Sequence, residues 1–423
     1  MNQTIASIAA LLLSAAFLLT GHGLQVALLP VRAHLENFAT LEVGILGAAY
    51  FCGFAAGCLV GTRIIRRVGH IRAFAAMVCL ASTMALVHAM FAAPVLWWLC
   101  RGITGLCLAV LFIVIESWLN ARSGNDNRGR VFSIYTIIHL TMVSVGQMIL
   151  VLDDPMGFVL FAGASILVSL SALPVALTRA EAPAPFSAVR MDVAHFYRRA
   201  PVGVVGAAVV GLTNGAFWSL APVFVQQNPL ARDTDMVAIF MSVAVVAGAI
   251  GQWPMGRVSD HMDRRKIILV ASLASAIIGA AMAAFSDQWA NGLLVFPFLF
   301  GVFVFPLYTL CAAHINDWVA ADEYVDAAAV LLVLYAVGAI AGSVLGSGAM
   351  QLLGPEGLFY FTASVHGALA LFAVARLRVR PPRVSDEHEP FAHTIQVLQT
   401  VAPIDPLANE EDAGQPDPLQ NGA

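Results

Sequence analysis

Charge is what this chain has least of. Asp, Glu, Lys and Arg together make up 11% of its 423 residues, and the formal net charge is −4. It has no basic arm, so nothing points to nucleic acid as a partner. The six cysteines (Cys52, Cys58, Cys79, Cys100, Cys107 and Cys311) all fall inside apolar runs, and none pairs at metal-ligand spacing. They read as small core hydrophobes rather than a disulfide framework. There is no Walker sequence for ATP, no G-x-S-x-G and no correctly spaced H-E-x-x-H. The nearest approach to the last runs from His388 to His393, with one residue too many between the histidines. Pro390 also opposes the helix that such a site needs. No cofactor, no metal and no enzymatic activity are expected.

Apolar sequence is in excess. Hydrophobic residues make up 59% of the chain and mean hydropathy is +0.81. A soluble protein of this length does not need so much apolar surface, and the runs recur along nearly the whole chain. A helix needs about 20 residues to cross the hydrocarbon. Twelve stretches qualify: 5–30, 41–64, 71–91, 95–118, 131–152 and 156–177, then 201–225, 236–255, 267–285, 289–313, 325–350 and 357–375. The first has no Lys or Arg before it and continues to Pro30. It therefore reads as a spanning helix rather than a signal peptide.

The pattern predicts an all-α membrane protein with twelve transmembrane helices in two six-helix bundles. Residues 1–178 form the N-terminal bundle and 179–200, with Pro183 and Pro185, a cytoplasmic linker. Residues 201–375 form the C-terminal bundle, and 376–423, Pro-rich and acidic, a disordered cytoplasmic tail. Of the 22 Lys and Arg residues, 19 fall after even-numbered spans, against Arg32 and Arg232 on the other side and Arg101 inside a span. Basic loops stay in the cytoplasm, so both termini are expected inside, with the protein multi-pass in the inner (plasma) membrane. The acidic loop after span 10, with Asp317, Asp322, Glu323 and Asp326, is the one even-numbered loop without a basic residue.

The halves repeat. Gly23, Leu28, Pro30 and Val31 of span 1 return as Gly215, Leu220, Pro222 and Val223 of span 7, at a constant offset of 192. The turns between spans 2 and 3 and between spans 8 and 9 also match. Gly61, Arg66, Arg67 and Gly69 occupy the first; Gly256, Asp260, Asp263, Arg264, Arg265 and Lys266 occupy the second. Two parallel six-span repeats are the architecture of a secondary transporter.

On these residues, over about 5 to 375, the chain resembles the major facilitator superfamily. That family's signature turn reads roughly G-x-x-x-D-R-x-G-R-R. The second-half copy fits it well, with Asp263 where the later glycine usually sits; in the first half Ile65 stands near the position of the aspartate. Arg101, Gly105 and Ala109 in span 4 are similar to a second family motif, R-x-x-x-G-x-x-x-A. The antiporter run of span 5 is reduced to Gly146 and Gln147. A narrower likeness, to the YcaD-like bacterial branch, rests on Glu116 to Asn120, Arg128 to Val131, Gln252 to Arg257 and His314 to Asp317.

A charge within the hydrocarbon is costly and so marks a functional candidate. Arg101 lies about 10 Å along its helix from Pro94. Either it serves the interior or it reaches back to the headgroups. Glu116 is about 22 Å further along, too far for a direct pair, near the cytoplasmic end, where it either binds an arginine of the basic turns or sits exposed. His139 is a candidate proton carrier, or else a satisfied core histidine. The resemblance ties the matching arginine to proton coupling or cavity organisation, and makes spans 1, 4, 7 and 10 cavity-lining. His22, Gln25, Asn214, Trp218 and Tyr308 are then the candidate substrate contacts; interhelical hydrogen bonding is the alternative for the polar ones. Arg66, Arg67, Asp260, Arg264 and Arg265 are the candidates for a cytoplasmic gate. Gly338, Gly342 and Gly346 make a smooth strip for helix packing. Trp97, Trp98, Trp118, Trp253, Trp289 and Trp318, near span ends, are expected as interfacial anchors.

The expected function is a secondary active transporter moving a small solute by alternating access, with protons as a candidate coupling ion and the lipid bilayer as its setting. Few charges favour a neutral or amphiphilic solute over a polyanion. A non-transporting sensor or scaffold with the same fold is the alternative.

Overall fold

The computed structural model describes residues 2–123, 128–177, 191–231, 233–289, 291–320 and 323–379. The His388 to His393 segment and most of the expected tail lie outside these residues. With no water in the hydrocarbon, a crossing chain must satisfy its backbone groups internally, and long apolar runs therefore become helices. The first half holds α1 (Asn2–Leu35), α2 (Thr40–Val68), α3 (His70–Met90), α4 (Pro94–Arg122) and α5 (Arg128–Met148). A sixth span follows in two pieces, α6 (Val159–Leu170) and α7 (Ala172–Ala176). The second half holds α9 (Pro201–Gln227), α10 (Asp235–His261), α11 (Arg264–Phe285), α12 (Gly292–Asn316), α13 (Tyr324–Leu353) and α14 (Gly357–Val379). By length and composition these supply 12 candidate membrane spans among the described residues.

Local chemistry sets the helix ends. Pro94 and Pro201 open α4 and α9, where a missing N–H costs nothing. Glu42 accepts from the Ala39 N–H at 2.7 Å and closes the first turn of α2. The sixth span breaks at Ser171. Pro174 supplies no N–H to the Leu170 carbonyl, and the Ser14 hydroxyl of α1 donates to the Ser171 carbonyl. Two details depart from expectation. The linker contains a short helix, α8 (Val193–Arg199), and α14 runs four residues past the expected boundary at 375.

Gly338, Gly342 and Gly346 pack α13 onto α9. A Cβ at Gly338 or Gly342 would strike the Ala208 or Leu212 carbonyl oxygen, and one at Gly346 would meet the Ala216 Cβ at 2.8 Å.

The two ends of the bundle differ. At the end away from the signature turns, one buried cluster spans both halves, joining Leu28, Val31 and Leu46 to Leu220, Phe224 and Phe240. There the Ser242 hydroxyl of α10 donates to the Ser144 carbonyl of α5 at 3.3 Å. At the turn end the large clusters are separate. One is built from α1 to α7; two others belong to the second half. The halves meet there across a small patch of Cys58, Ala109 and Ala329.

The tryptophans divide. Trp253 and Trp289 are exposed at 71% and 44%, as anchors would be, whereas Trp97 and Trp118 are fully buried. Trp97 donates to the Phe91 carbonyl at 2.6 Å, so the α3–α4 turn consumes its polar edge.

Candidate functional site

Between the sealed end and the turn end lie two adjoining chambers, of about 270 Å³ and about 330 Å³. Both are lined by His139 and Val143 of the first half and by Trp218, Leu332 and Tyr335 of the second. The first chamber is drawn from α1, α2, α4, α5, α9 and α13, the second from α5, α9, α10, α12 and α13.

Arg101 lines the first chamber. Its guanidinium lies 4.4 Å from the centre of the Tyr50 ring, it is 7% exposed, and its Nη1 has no hydrogen-bond partner. A cation–π contact contributes about 0.5–2 kcal/mol. That is less than the cost of a charge at mid-membrane, about 2.5 kcal/mol or more. Tyr50 also meets His22, with ring centres 5.6 Å apart and its hydroxyl 3.5 Å from Nε2. The other nitrogen, Nδ1, has no partner. Nothing about Tyr50 in sequence marked it out; it lies in an apolar run of α2, and only the packing of α2 on α4 brings it under Arg101.

His139 lines both chambers, and its ring contacts Phe112 and Tyr135 at 5.9 and 6.3 Å. Tyr135, one turn away on α5, donates to Glu116 Oε1 at 3.2 Å. Glu116 is 5% exposed, so it belongs to the first-half core rather than the membrane surface. Tyr135 was another residue without a signal of its own in sequence.

The second-half face is aromatic. Trp218 stacks on Phe305 with ring centres 5.5 Å apart. Tyr335 lies against Tyr308 at 5.2 Å and Phe51 of the other half at 6.4 Å. Asn214 and Tyr308 line the second chamber, with Gln252 held to Thr309 at 3.0 Å. Asn214 is buried and its Oδ1 has no hydrogen-bond partner. Of the five candidate substrate contacts, His22, Asn214, Trp218 and Tyr308 line the chambers. Gln25 is not among the lining residues; it is 2% exposed and buried in helix packing.

The turn-end charges gather elsewhere. Arg264 is buried and donates to Asp317 Oδ2 at 2.8 Å, Ser259 Oγ at 3.0 Å and Asp260 Oδ1 at 3.4 Å. Arg265 grips both oxygens of Asp263 at 3.0 and 2.7 Å. These bonds lie within the second half, joining α10, α11 and the end of α12. Arg66 and Arg67 are exposed at the turn end of α2. The acidic loop after span 10, which carries no cation of its own, supplies Asp317 to the signature turn.

Comparison with known proteins agrees with this architecture. The family model described as Major Facilitator Superfamily matches residues 203–408. An "Uncharacterized MFS-type transporter YcaD" of Escherichia fergusonii is 28% identical over 365 residues, covering 84% of this chain and 92% of that protein. The nucleoside transporter NupG shares the fold at a TM-score of 0.75 and 12% identity, covering 90% of this chain and 100% of that one. A bacterial homolog of the human lysosomal transporter Spinster, in an inward-facing and unoccupied conformation, shares it at 0.67 and 14% identity, covering 98% and 99%. Twelve candidate spans in two matching halves, with relatives of this kind along most of the chain, make it similar to the major facilitator superfamily and, within it, to the YcaD-like transporters.

Proposed function

We propose that the protein is a secondary active transporter that moves a small solute across the bacterial inner membrane by alternating access, coupled to protons. The observation that carries this reading is the cavity lined by both halves, sealed at one end by a shared core and flanked at the other by separate ones. Rocking one half against the other about α2 and α13 would exchange the two arrangements. The excess of basic residues at the turn end supports a cytoplasmic location for that end and both termini.

In this reading Arg101 and His139 meet the solute chamber, and Tyr135 links His139 to Glu116 as a route for protons. His22, Asn214, Trp218 and Tyr308 contact the solute. Arg264 and Arg265, braced by Asp317, Asp260 and Asp263, form a rigid plate at the turn end of the second half. With Arg66 and Arg67 it serves as the cytoplasmic gate. Asp260→Asn is then expected to change transport rate more than solute binding.

The test is flux into proteoliposomes of a solute first found by thermal-shift screening. A protonophore should abolish accumulation, and His139→Ala should make the remaining flux independent of pH. A bound solute with no flux under any gradient would favour a sensor, while flux untouched by the protonophore would remove the proton from the mechanism.

A further inference from the structure

The first chamber holds a cation without a counter-charge. Among the described residues lining the two chambers, Arg101 is the one permanently charged side chain, and no Asp or Glu is present. Glu116, on the same helix, is about 22 Å away and bonded to Tyr135. The Tyr50 ring covers one face of the guanidinium but offers no acceptor to Nη1, which is buried without a hydrogen-bond partner. The His22 ring also stacks on Tyr50, and its Nδ1 is a second nitrogen without a hydrogen-bond partner. A buried guanidinium is best satisfied by a carboxylate, which its donor fork matches. The rest of the chamber wall is largely apolar, with Phe51, Phe54, Phe112 and Trp218 set among aliphatic side chains such as Leu29, Leu46 and Leu332.

We propose that the cavity is built for a small aromatic monocarboxylate, its carboxylate on Arg101 beside His22 and its ring among Tyr50, Phe112 and Trp218. This names the solute class for the transport reading above and rests on it. Size agrees: an apolar cavity of about 150 Å³ accepts benzene, and the first chamber, at about 270 Å³, leaves room for a ring with a short acid arm. Charge also agrees. One permanent cation neutralises one negative charge, and a second would lie unpaired in an apolar wall. An amine would face Arg101 with like charge.

The experiment uses the full chain in lipid nanodiscs and matched triplets: phenylacetate, phenylacetamide and phenethylamine, with benzoate and 3-phenylpropionate and their amides beside them. Binding is read by calorimetry and thermal shift. At least one acid is expected to bind 10-fold or more tighter than its amide, and the amine not to compete. Arg101→Gln should bring the acid down to the level of the amide, whereas Trp218→Ala should weaken acid and amide alike. The proposal is overturned if no acid binds, if amide or amine matches the acid, or if Arg101→Gln keeps the preference. Should that variant fail to fold, the acid–amide comparison on the native protein decides by itself. Acid binding without flux would sink the transport reading and leave this one standing. Flux of a neutral or cationic solute that no acid inhibits would do the reverse.

Discussion

Arg264 donates its Nε to Asp317 Oδ2 at 2.8 Å, and neither side chain reaches solvent. The bond crosses from the start of α11 to the end of α12, so it fixes two spans at one corner. Asp260, the acid carried by the signature turn itself, is the weaker partner at 3.4 Å and is 31% exposed. Removing one side of a buried ion pair costs about 3–5 kcal/mol, against about 0–1 kcal/mol for an exposed one. Asp317→Ala should therefore destabilise the protein by several times more than Asp260→Ala. Unfolding of the two variants in mixed micelles measures it. Equal losses would mean that the buried bond is not the anchor.

Gly342 is the tightest point of the α9–α13 contact, where a Cβ would enter the Leu212 carbonyl. Because the obstruction is backbone, no side chain can swing away, and the helices must part. Overpacking of this kind costs about 1–3 kcal/mol. Gly342→Ala is expected to lie in that range and Gly342→Val beyond it. Gly348→Ala, with open space around its Cβ, should be close to neutral. A melting series over the three variants checks the ranking.

The spans were legible because a run of twenty apolar residues has few other outcomes, and the repeat was legible because its glycines, prolines and arginines recur in register. Arg101 stood out by the cost of its charge. Its seat did not, since Tyr50 and Tyr135 are aromatic residues in apolar helices, indistinguishable in sequence from packing groups. Trp97 and Trp118 illustrate the same limit from the other side. A tryptophan near a span end reads as an anchor, yet the depth at which a helix face meets its neighbours is set by tertiary packing. Asp317 escaped for another reason: its partner lies 53 residues away, on a different helix.

Glu323 ties the linker helix α8 to the second half. It accepts from His195 at 2.9 Å, Arg199 at 2.9 Å and the Ala320 N–H at 3.0 Å. The Ala320 N–H, then His195 and Arg199, hold the carboxyl below its usual range. A carboxyl lowered in the folded state stabilises the fold above its ordinary value, about 4.3, and loses that contribution as pH falls through its lowered value. Docking of α8 should thus be intact at neutral pH and lost only once the pH falls below the ordinary carboxylate range. Amide exchange of Val193–Arg199, corrected for intrinsic rates, should rise across that window. In Glu323→Gln it should be fast already at pH 7. Exchange indifferent to both changes would assign the docking of α8 to Phe196 burial instead.

Gly69 and Asp263 stand at matching places in the two halves and solve the same turn differently. Gly69 joins α2 to α3 at φ 84° and ψ 161°, a region nearly closed to other residues. Asp263 has an ordinary negative φ and caps α11, its carboxylate accepting from the Arg265 N–H at 3.0 Å and from the Arg265 guanidinium. An exchange of the two residues is therefore not neutral, despite the repeat. Gly69→Asp should cost about 1–3 kcal/mol in backbone strain, since φ at this position is positive. Asp263→Gly should cost only about 0.3 kcal/mol for the cap, since glycine is itself tolerated there, with the Arg265 ion pair lost in addition. The double exchange should be as unstable as the sum of the singles, because the turns lie in different halves. Unfolding of the four proteins tests additivity. A double variant more stable than either single would mean that the two turns communicate through the turn-end interface, and that the repeat is functional rather than only ancestral.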